Sequence, residues 1–366
     1  MLNLDQCRTR QKRLINVLQR RKLDAAVCGL DWHVYYFTGF RRFWFHQSAA
    51  VIFSDGRSWL TTANDPTDRA AADTIDSFVA QHMATLRQEQ PNVVAEQVIA
   101  QLKAGKARRI GVDTSQVSAR VILGFDGSCE AIDDELWQMR RVKDADELEL
   151  LRRSIRCTEA MHKRAREIVE PGVDELHVFN ELHAAAVEAA GEPLSGALGN
   201  DYACGAMGGL PRQGRKAKAG ELYIFDLGPE RRGYRADNTR TISVDRNPTD
   251  AQVQAWQRIT DALEVVEQTV KPGTRGKQLF AMIDQFLQDQ GGTPMVHHLG
   301  HGIGLQPHEF PHLNPHWDDE FMAGEVICVE PGQYGQELAQ GIRLENQYLI
   351  TADGVENLVN APLELA

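Results

Sequence analysis

The chain has 366 residues, 42% hydrophobic and 25% charged, the composition of an ordinary globular protein and more length than one compact core usually fills. Its formal net charge is −11 and it has no long Lys/Arg run, which argues against nucleic acid as a partner, because binding phosphates needs a basic stripe. No stretch of about 18 apolar residues occurs, so no membrane span is expected, and the charged start MLNLDQCRTRQKRL lacks the apolar core of a secretory signal.

The first ~140 residues alternate helix-like and strand-like stretches. A helix over 6–21 precedes the short apolar run DAAVCGL (24–30) and the aromatic stretch VYYFTGFRRFWF (34–45). SAAVIFSDG, SWLTT and RRIGVD read as strands, and the residues after RRIGVD as another helix. This predicts an α/β domain with a mixed sheet. A second unit opens near Asp144, whose spacing to Glu147 is that of a capping box. The helix begun there closes at Pro171-Gly172, and a second starts at Asp174 and ends near Gly191. Two further helices, 249–270 and 274–290, lie between two strand-rich blocks. The expected organisation is α+β, with domains 1–143 and 144–366. Six scattered cysteines without a CxxC suit free thiols in a reducing compartment, so a cytoplasmic location is expected.

The second unit contains an internal repeat. Residues 219–228 read AGELYIFDLG and residues 323–332 read AGEVICVEPG; further on, GYRADN (233–238) matches GIRLEN (341–346). Each half therefore carries a β-hairpin with two acids: Asp226 and Asp237 in the first, Glu330 and Glu345 in the second. A duplicated half-domain related by a pseudo-twofold axis follows. The alternative is that these acids are solvated or ion-paired strand ends. The flanking LYIF and VICV, however, read as buried strands, and clustered buried carboxylates repel unless cations lie between them. Hard oxygen donors with one imidazole suit Mn, Co, Fe or Zn.

That imidazole is expected from HHLGHGIGLQPHEFP, which follows one hairpin and precedes the other. His301, set between glycines, is the candidate ligand. His297 and His308 flank it and suit a substrate or a tetrahedral intermediate, whereas His312 and His316 read as solvated.

The set Asp226, Asp237, GHGIGLQPHE with His301 and His308, Glu330-Pro-Gly and Arg343-x-Glu345 resembles the pita-bread metallohydrolases, the family of prolidase, aminopeptidase P and creatinase. The match spans the chain from about residue 144 to its end. RRVKDADELELLRRS is similar to the linker helix of prolidase-like members, and the first ~140 residues, with YYFTGF, look like their creatinase-type N-terminal domain. The resemblance implies two divalent metal ions, Mn ahead of Co, Zn or Fe, sharing a water or hydroxide that attacks the scissile amide. Asp226 and Glu345 would bridge the ions, Asp237 would complete one, and His301 with Glu330 the other. Glu330 would double as general base, with His297, His308 and Arg343 as catalytic partners. Phe45, Tyr234, His297 and His308 are the candidates for binding substrate. The implied substrates are short peptides with proline after the scissile bond, and a homodimer is the implied assembly.

One element of the family pattern is missing. Prolidase-like members carry a further histidine before the first metal Asp, often as His-Tyr; here the segment is DYACGAMGGLPRQGRKAKAGE, and no histidine occurs between His183 and His297. This favours a second reading, a creatinase- or ectoine-hydrolase-like enzyme acting on a small non-peptide amide. Creatinase works without metal, so the complete ligand set argues against that enzyme in particular. A third reading, a non-catalytic binding protein of the same fold, is weakened because all five ligands are present. Phe43-Trp44-Phe45-His46 would either shape a substrate site or fill the core of the small domain.

Overall fold

Asn3 starts the first helix, Leu4–Arg21, by accepting from the backbone N–H groups of Asp5 at 2.8 Å and Gln6 at 3.2 Å. The computed structural model describes residues 1–65, 69–196 and 201–366, and the chain divides into two units, Met1–Arg140 and Arg141–Ala366.

The N-terminal unit is built on a six-stranded mixed sheet. Its inner strand Ala25–Cys28 is buried throughout, antiparallel to Ser48–Phe53 and parallel to Arg109–Val112. Strands buried on both faces read as continuous apolar runs, as AAVC and SAAVIF do. The aromatic stretch, which has no clear period, opens as the helix Asp31–Thr38, ended by Gly39 at φ 69°. Asp113 fixes the start of that helix. Its carboxylate accepts from the N–H of Gly29 at 3.0 Å and of Leu30 at 2.9 Å, and from His33 Nδ1 at 2.9 Å.

The C-terminal unit repeats one construction twice. Asp144 donates its N–H to Glu147 Oε2 at 2.9 Å, completing the expected capping box of the helix Ala145–Ile168. This helix and Glu175–Ala190 pack on the antiparallel pair Leu222–Leu227 and Asn238–Ser243 through Met161, Val178, Leu182, Tyr223 and Phe225. In the second half, Asp250–Thr269 and Gly276–Asp289 pack through Ile259, Leu263, Leu279 and Ile283 on Val326–Val329. That strand lies in a five-stranded antiparallel sheet between Gly300–Gly302 and Asn346–Ile350. The short strands Gly332–Gly335 and Gln340–Arg343 form a further antiparallel pair.

The two halves are joined by backbone. Glu345 donates its N–H to Thr239 O at 3.0 Å, and the Thr241 hydroxyl donates to Arg343 O at 2.9 Å. Behind this seam the buried Arg240 donates to the carbonyls of Thr239 (2.9 Å), Glu345 (2.6 Å) and Ala361 (2.9 Å). The guanidinium thereby ties the strands that carry the acids of both halves.

Candidate metal centre

The repeat sets each acid at a strand or its end. Asp226 lies within Leu222–Leu227 and Asp237 directly before Asn238–Ser243. Glu330 directly follows Val326–Val329, and Glu345 directly precedes Asn346–Ile350. All four are buried, as is His301. One carboxylate oxygen each of Asp226, Asp237 and Glu345 lies within 4.8 Å of the others. His301 Nε2 lies 3.6 Å from Glu330 Oε1 and 3.9 Å from Asp237 Oδ2. The fold thus brings together the five residues singled out in the sequence.

The glycines around His301 serve the sheet. A Cβ on Gly300 would stand 1.9 Å from Cys328 O, and one on Gly302 would stand 2.0 Å from Phe310 O. Only hydrogens at these positions let the His301 strand close against both neighbours. That closure sets the tautomer: His301 Nδ1 lies 3.0 Å from Gly302 O, so the proton resides there and the Nε2 lone pair faces the acids. Burial holds the His301 pKa well below the usual histidine value, so the ring is neutral, the form that binds metal.

Electrostatics and hydrogen bonding test whether cations fit. Burial, then the charge of Glu345, pushes the Asp237 carboxyl well above the usual carboxylate range. Glu345 is pushed up by burial and by Glu330. Glu330 rises to about 8 through burial and the charge of Asp226, against the pull of Arg343. Asp226 Oδ1, Asp237 Oδ1 and Glu345 Oε1 are buried without a hydrogen-bond partner. Buried carboxylate oxygens left bare are costly, and cations between them remove both the repulsion and the unmet valence. The donor set fits hard divalent metal ions. Cys328 lies against the cluster, but burial raises its pKa well above the ordinary thiol value, which keeps it a thiol and a poor ligand.

The remaining candidates separate. Arg343 Nη2 donates to Asp226 Oδ2 at 2.9 Å and Nη1 to Tyr334 Oη at 3.1 Å. His297 Nδ1 donates to His298 O at 2.7 Å, so its Nε2 accepts from Tyr334 Oη at 2.8 Å. Burial lowers the His297 pKa to about 4. The His308 ring stacks on His301 with centroids 3.8 Å apart, and its residue is exposed. Tyr234 is not brought to the cluster. It is fully buried, its hydroxyl donates to Glu147 Oε1 at 2.9 Å, and its carbonyl accepts from Ser154 Oγ at 2.9 Å, which makes it a clamp on the helix Ala145–Ile168. Phe45 lies in the N-terminal unit, edge-on to Phe43 with centroids 4.2 Å apart, beside the exposed Trp44. His312, expected to be solvated, pairs through Nδ1 with Asp319 Oδ2 at 2.8 Å and stacks on Trp317.

Four residues at the centre were not singled out from the sequence. His298 Nε2 lies 3.0 Å from Glu330 Oε1; the doublet His297-His298 was the one available signal. Thr239 donates its hydroxyl to Glu345 Oε2 at 2.8 Å. Tyr334 joins Arg343 to His297. Asp201 pairs with the Arg343 Nη2 that also holds Asp226.

The family model of metallopeptidase family M24 matches residues 149–352, more than half of the chain and all five acidic and imidazole residues of the cluster. The chain belongs to metallopeptidase family M24. The creatinase/prolidase N-terminal domain matches residues 10–152. Among M24 relatives, an uncharacterized peptidase of Staphylococcus aureus (strain bovine RF122) is 28% identical over 358 residues, spanning 96% of this chain and 99% of the relative. The fold is shared with the Xaa-Pro dipeptidase of Bacillus anthracis, at TM-score 0.84 and 21% identity over 99% of each chain. It is also shared with the X-Pro aminopeptidase of Thermotoga maritima, at TM-score 0.80 and 24% identity over 97% and 98% of the two chains. This M24 member is a metallopeptidase-like hydrolase with the two-domain architecture expected from the sequence.

Proposed function

We propose that the protein is a dinuclear-metal-dependent C–N hydrolase of the Xaa-Pro type, cleaving the amide bond on the N-terminal side of proline in short peptides. The observation that carries this reading is the set of bare, buried oxygens of Asp226, Asp237 and Glu345 beside the unprotonated Nε2 of His301. Asp226, Asp237, His301, Glu330 and Glu345 would hold the ions. When bound, divalent cations supply Lewis-acid activation of water and of the scissile carbonyl.

The chain's own groups supply the rest. Glu330, with Oε1 against His298 Nε2, is the base that holds the proton released on attack and returns it to the leaving nitrogen. Arg343 fixes one oxygen of Asp226 through a charge-assisted hydrogen bond, which orients that carboxylate. His308, open to solvent at one edge, is placed to orient a substrate carbonyl. His297 has both ring nitrogens engaged, so it acts by positioning Tyr334. Manganese, a homodimer and a cytoplasmic location belong to the same proposal; all six cysteines being free thiols supports a reducing setting.

The test is hydrolysis of Xaa-Pro dipeptides, longer Xaa-Pro peptides, creatine and ectoine by metal-free protein reloaded with Mn²⁺. Cleavage of proline peptides, abolished by Asp237→Ala, is the expected result. Turnover of creatine or ectoine alone would replace this reading with hydrolysis of a small non-peptide amide. That second reading is favoured by one observation: the segment before Asp226 places the Asp201 carboxylate on Arg343 and brings no imidazole.

A further inference from the structure

Arg343 has five N–H donors, and all are committed. Nε faces Thr239 Oγ1 at 3.4 Å; Nη1 faces Tyr334 Oη at 3.1 Å and Met207 O at 3.4 Å; Nη2 faces Asp226 Oδ2 at 2.9 Å and Asp201 Oδ2. Asp201 is held for this contact. Its backbone N–H and C=O pair with the C=O and N–H of Asp226, both at 3.2 Å, which fixes it in register with a ligand. Its Oδ1 accepts from the Gly209 N–H at 2.6 Å, and Tyr202 donates its N–H to Gly209 O at 2.7 Å, closing the turn around the carboxylate. Gly208 leaves the room: a Cβ there would stand 2.6 Å from Asp201 Oδ2.

The charges at the centre then balance. Four ligand carboxylates match two divalent cations, and Asp201 matches Arg343. Two further buried cations of this region are also committed: Lys143 is 3.1 Å from Glu309 Oε2, and Arg240 donates to the carbonyls of Thr239, Glu345 and Ala361. A further carboxylate brought to this centre would therefore find Arg343 already saturated by acids, in a setting where like charges repel strongly.

We infer that Asp201 is a specificity-determining residue: by occupying Arg343 it selects substrates with no carboxylate on the residue that follows the scissile amide. On the Xaa-Pro reading proposed above, these are peptides that continue past the proline or end in an amide. Free dipeptides are disfavoured. Neutralising Asp201 leaves one positive charge and a freed Nη2–H at that point, which converts the site to one that welcomes a carboxylate.

The test compares Mn²⁺-loaded wild type, Asp201→Asn, Gly208→Ala (which displaces the Asp201 side chain and keeps its charge) and Asp201→Glu as the conservative control. Substrates are Ala-Pro, Ala-Pro-amide and Ala-Pro-Ala. Wild type is expected to favour the amide and the tripeptide over the free dipeptide by roughly tenfold or more in kcat/KM. Asp201→Asn and Gly208→Ala should bring that ratio towards one, mainly through a lower KM for Ala-Pro, while Asp201→Glu stays near wild type. Acetate and acetamide give a readout without turnover. By calorimetry, acetate should tighten several-fold in both Asp201→Asn and Gly208→Ala, with acetamide unchanged. Unchanged acetate affinity in both variants at full metal loading overturns the inference, as does a wild type that prefers Ala-Pro. Tighter acetate binding with no cleavage of any proline substrate would refute the peptidase reading and leave the role of Asp201 standing.

Discussion

Nζ of Lys143 lies 3.1 Å from Oε2 of Glu309, and both side chains are almost wholly buried. Glu309 Oε1 also accepts from the Gln306 N–H at 2.9 Å, so the pair closes the turn between His301 and His308 and anchors it to the residues that lead into the helix Ala145–Ile168. Removing one partner from a buried pair costs about 3–5 kcal/mol, because it strands a desolvated charge. Lys143→Met and Glu309→Gln should each destabilise on that scale, and the double variant should recover part of the loss. Denaturant unfolding of the three variants measures it; additive losses would show that the two charges do not interact.

Metal should act as a stabilising ligand of the native state. With free Mn²⁺ at about 100 times its dissociation constant, unfolding should cost about 2.7 kcal/mol more, since the unfolded chain has no assembled site. The melting temperature should rise with Mn²⁺ in wild type and stay flat in Asp237→Ala. Equal rises in both would place the binding elsewhere.

The metal-free protein should lose stability as pH rises through neutrality. Asp237, Glu330 and Glu345 have native pKa values above their unfolded values, Glu330 at about 8 against an ordinary 4.5. Below about pH 6.5 the buried histidines, whose pKa values are lowered, act in the opposite sense. At and above about pH 7, where unfolded histidines are largely neutral, the three carboxyls make the native state hold more protons than the unfolded state, so its stability decreases with increasing pH. Melting of metal-free protein should be higher at about pH 7 than at about pH 9, and Mn²⁺ loading should flatten that slope. A metal-free protein that gains stability over that range would contradict the crowding of these acids.

His298→Ala removes the imidazole 3.0 Å from Glu330 Oε1. Loss of a group that assists a general base typically costs on the order of 100-fold, and the effect should fall on kcat more than on KM. Steady-state kinetics on the best substrate of the panel decides it; wild-type kcat in His298→Ala would leave that imidazole without a role.

The site was legible where chemistry repeats along the chain. Ala-Gly-Glu, an apolar strand, an acid and a glycine occur twice, so Asp226 and Glu330, with Asp237 and Glu345 behind them, could be named before any fold was known. Helix limits were legible where end chemistry is local, as at Asp144 with Glu147 and at Asp174 with Gly191. Asp201 was not, because its partner Arg343 lies 142 residues away and the pairing exists only once the two halves close. His298 and His297 are indistinguishable in sequence; the turn of the chain before Gly300 decides which imidazole meets Glu330 and which meets Tyr334. Tyr234 shows the reverse case. The resemblance made it a candidate for substrate contact, yet it is fully buried and its hydroxyl bonds Glu147 on the helix Ala145–Ile168.

The central claim is that Asp226, Asp237, His301, Glu330 and Glu345 assemble a centre for two divalent ions. Equilibrium dialysis of metal-stripped protein against Mn²⁺, with bound metal counted by elemental analysis, tests it most directly. The account predicts two ions per chain in wild type and at most one in Asp237→Ala. Wild-type protein that retains no stoichiometric metal, or an Asp237→Ala variant that binds as many ions as wild type, would contradict it.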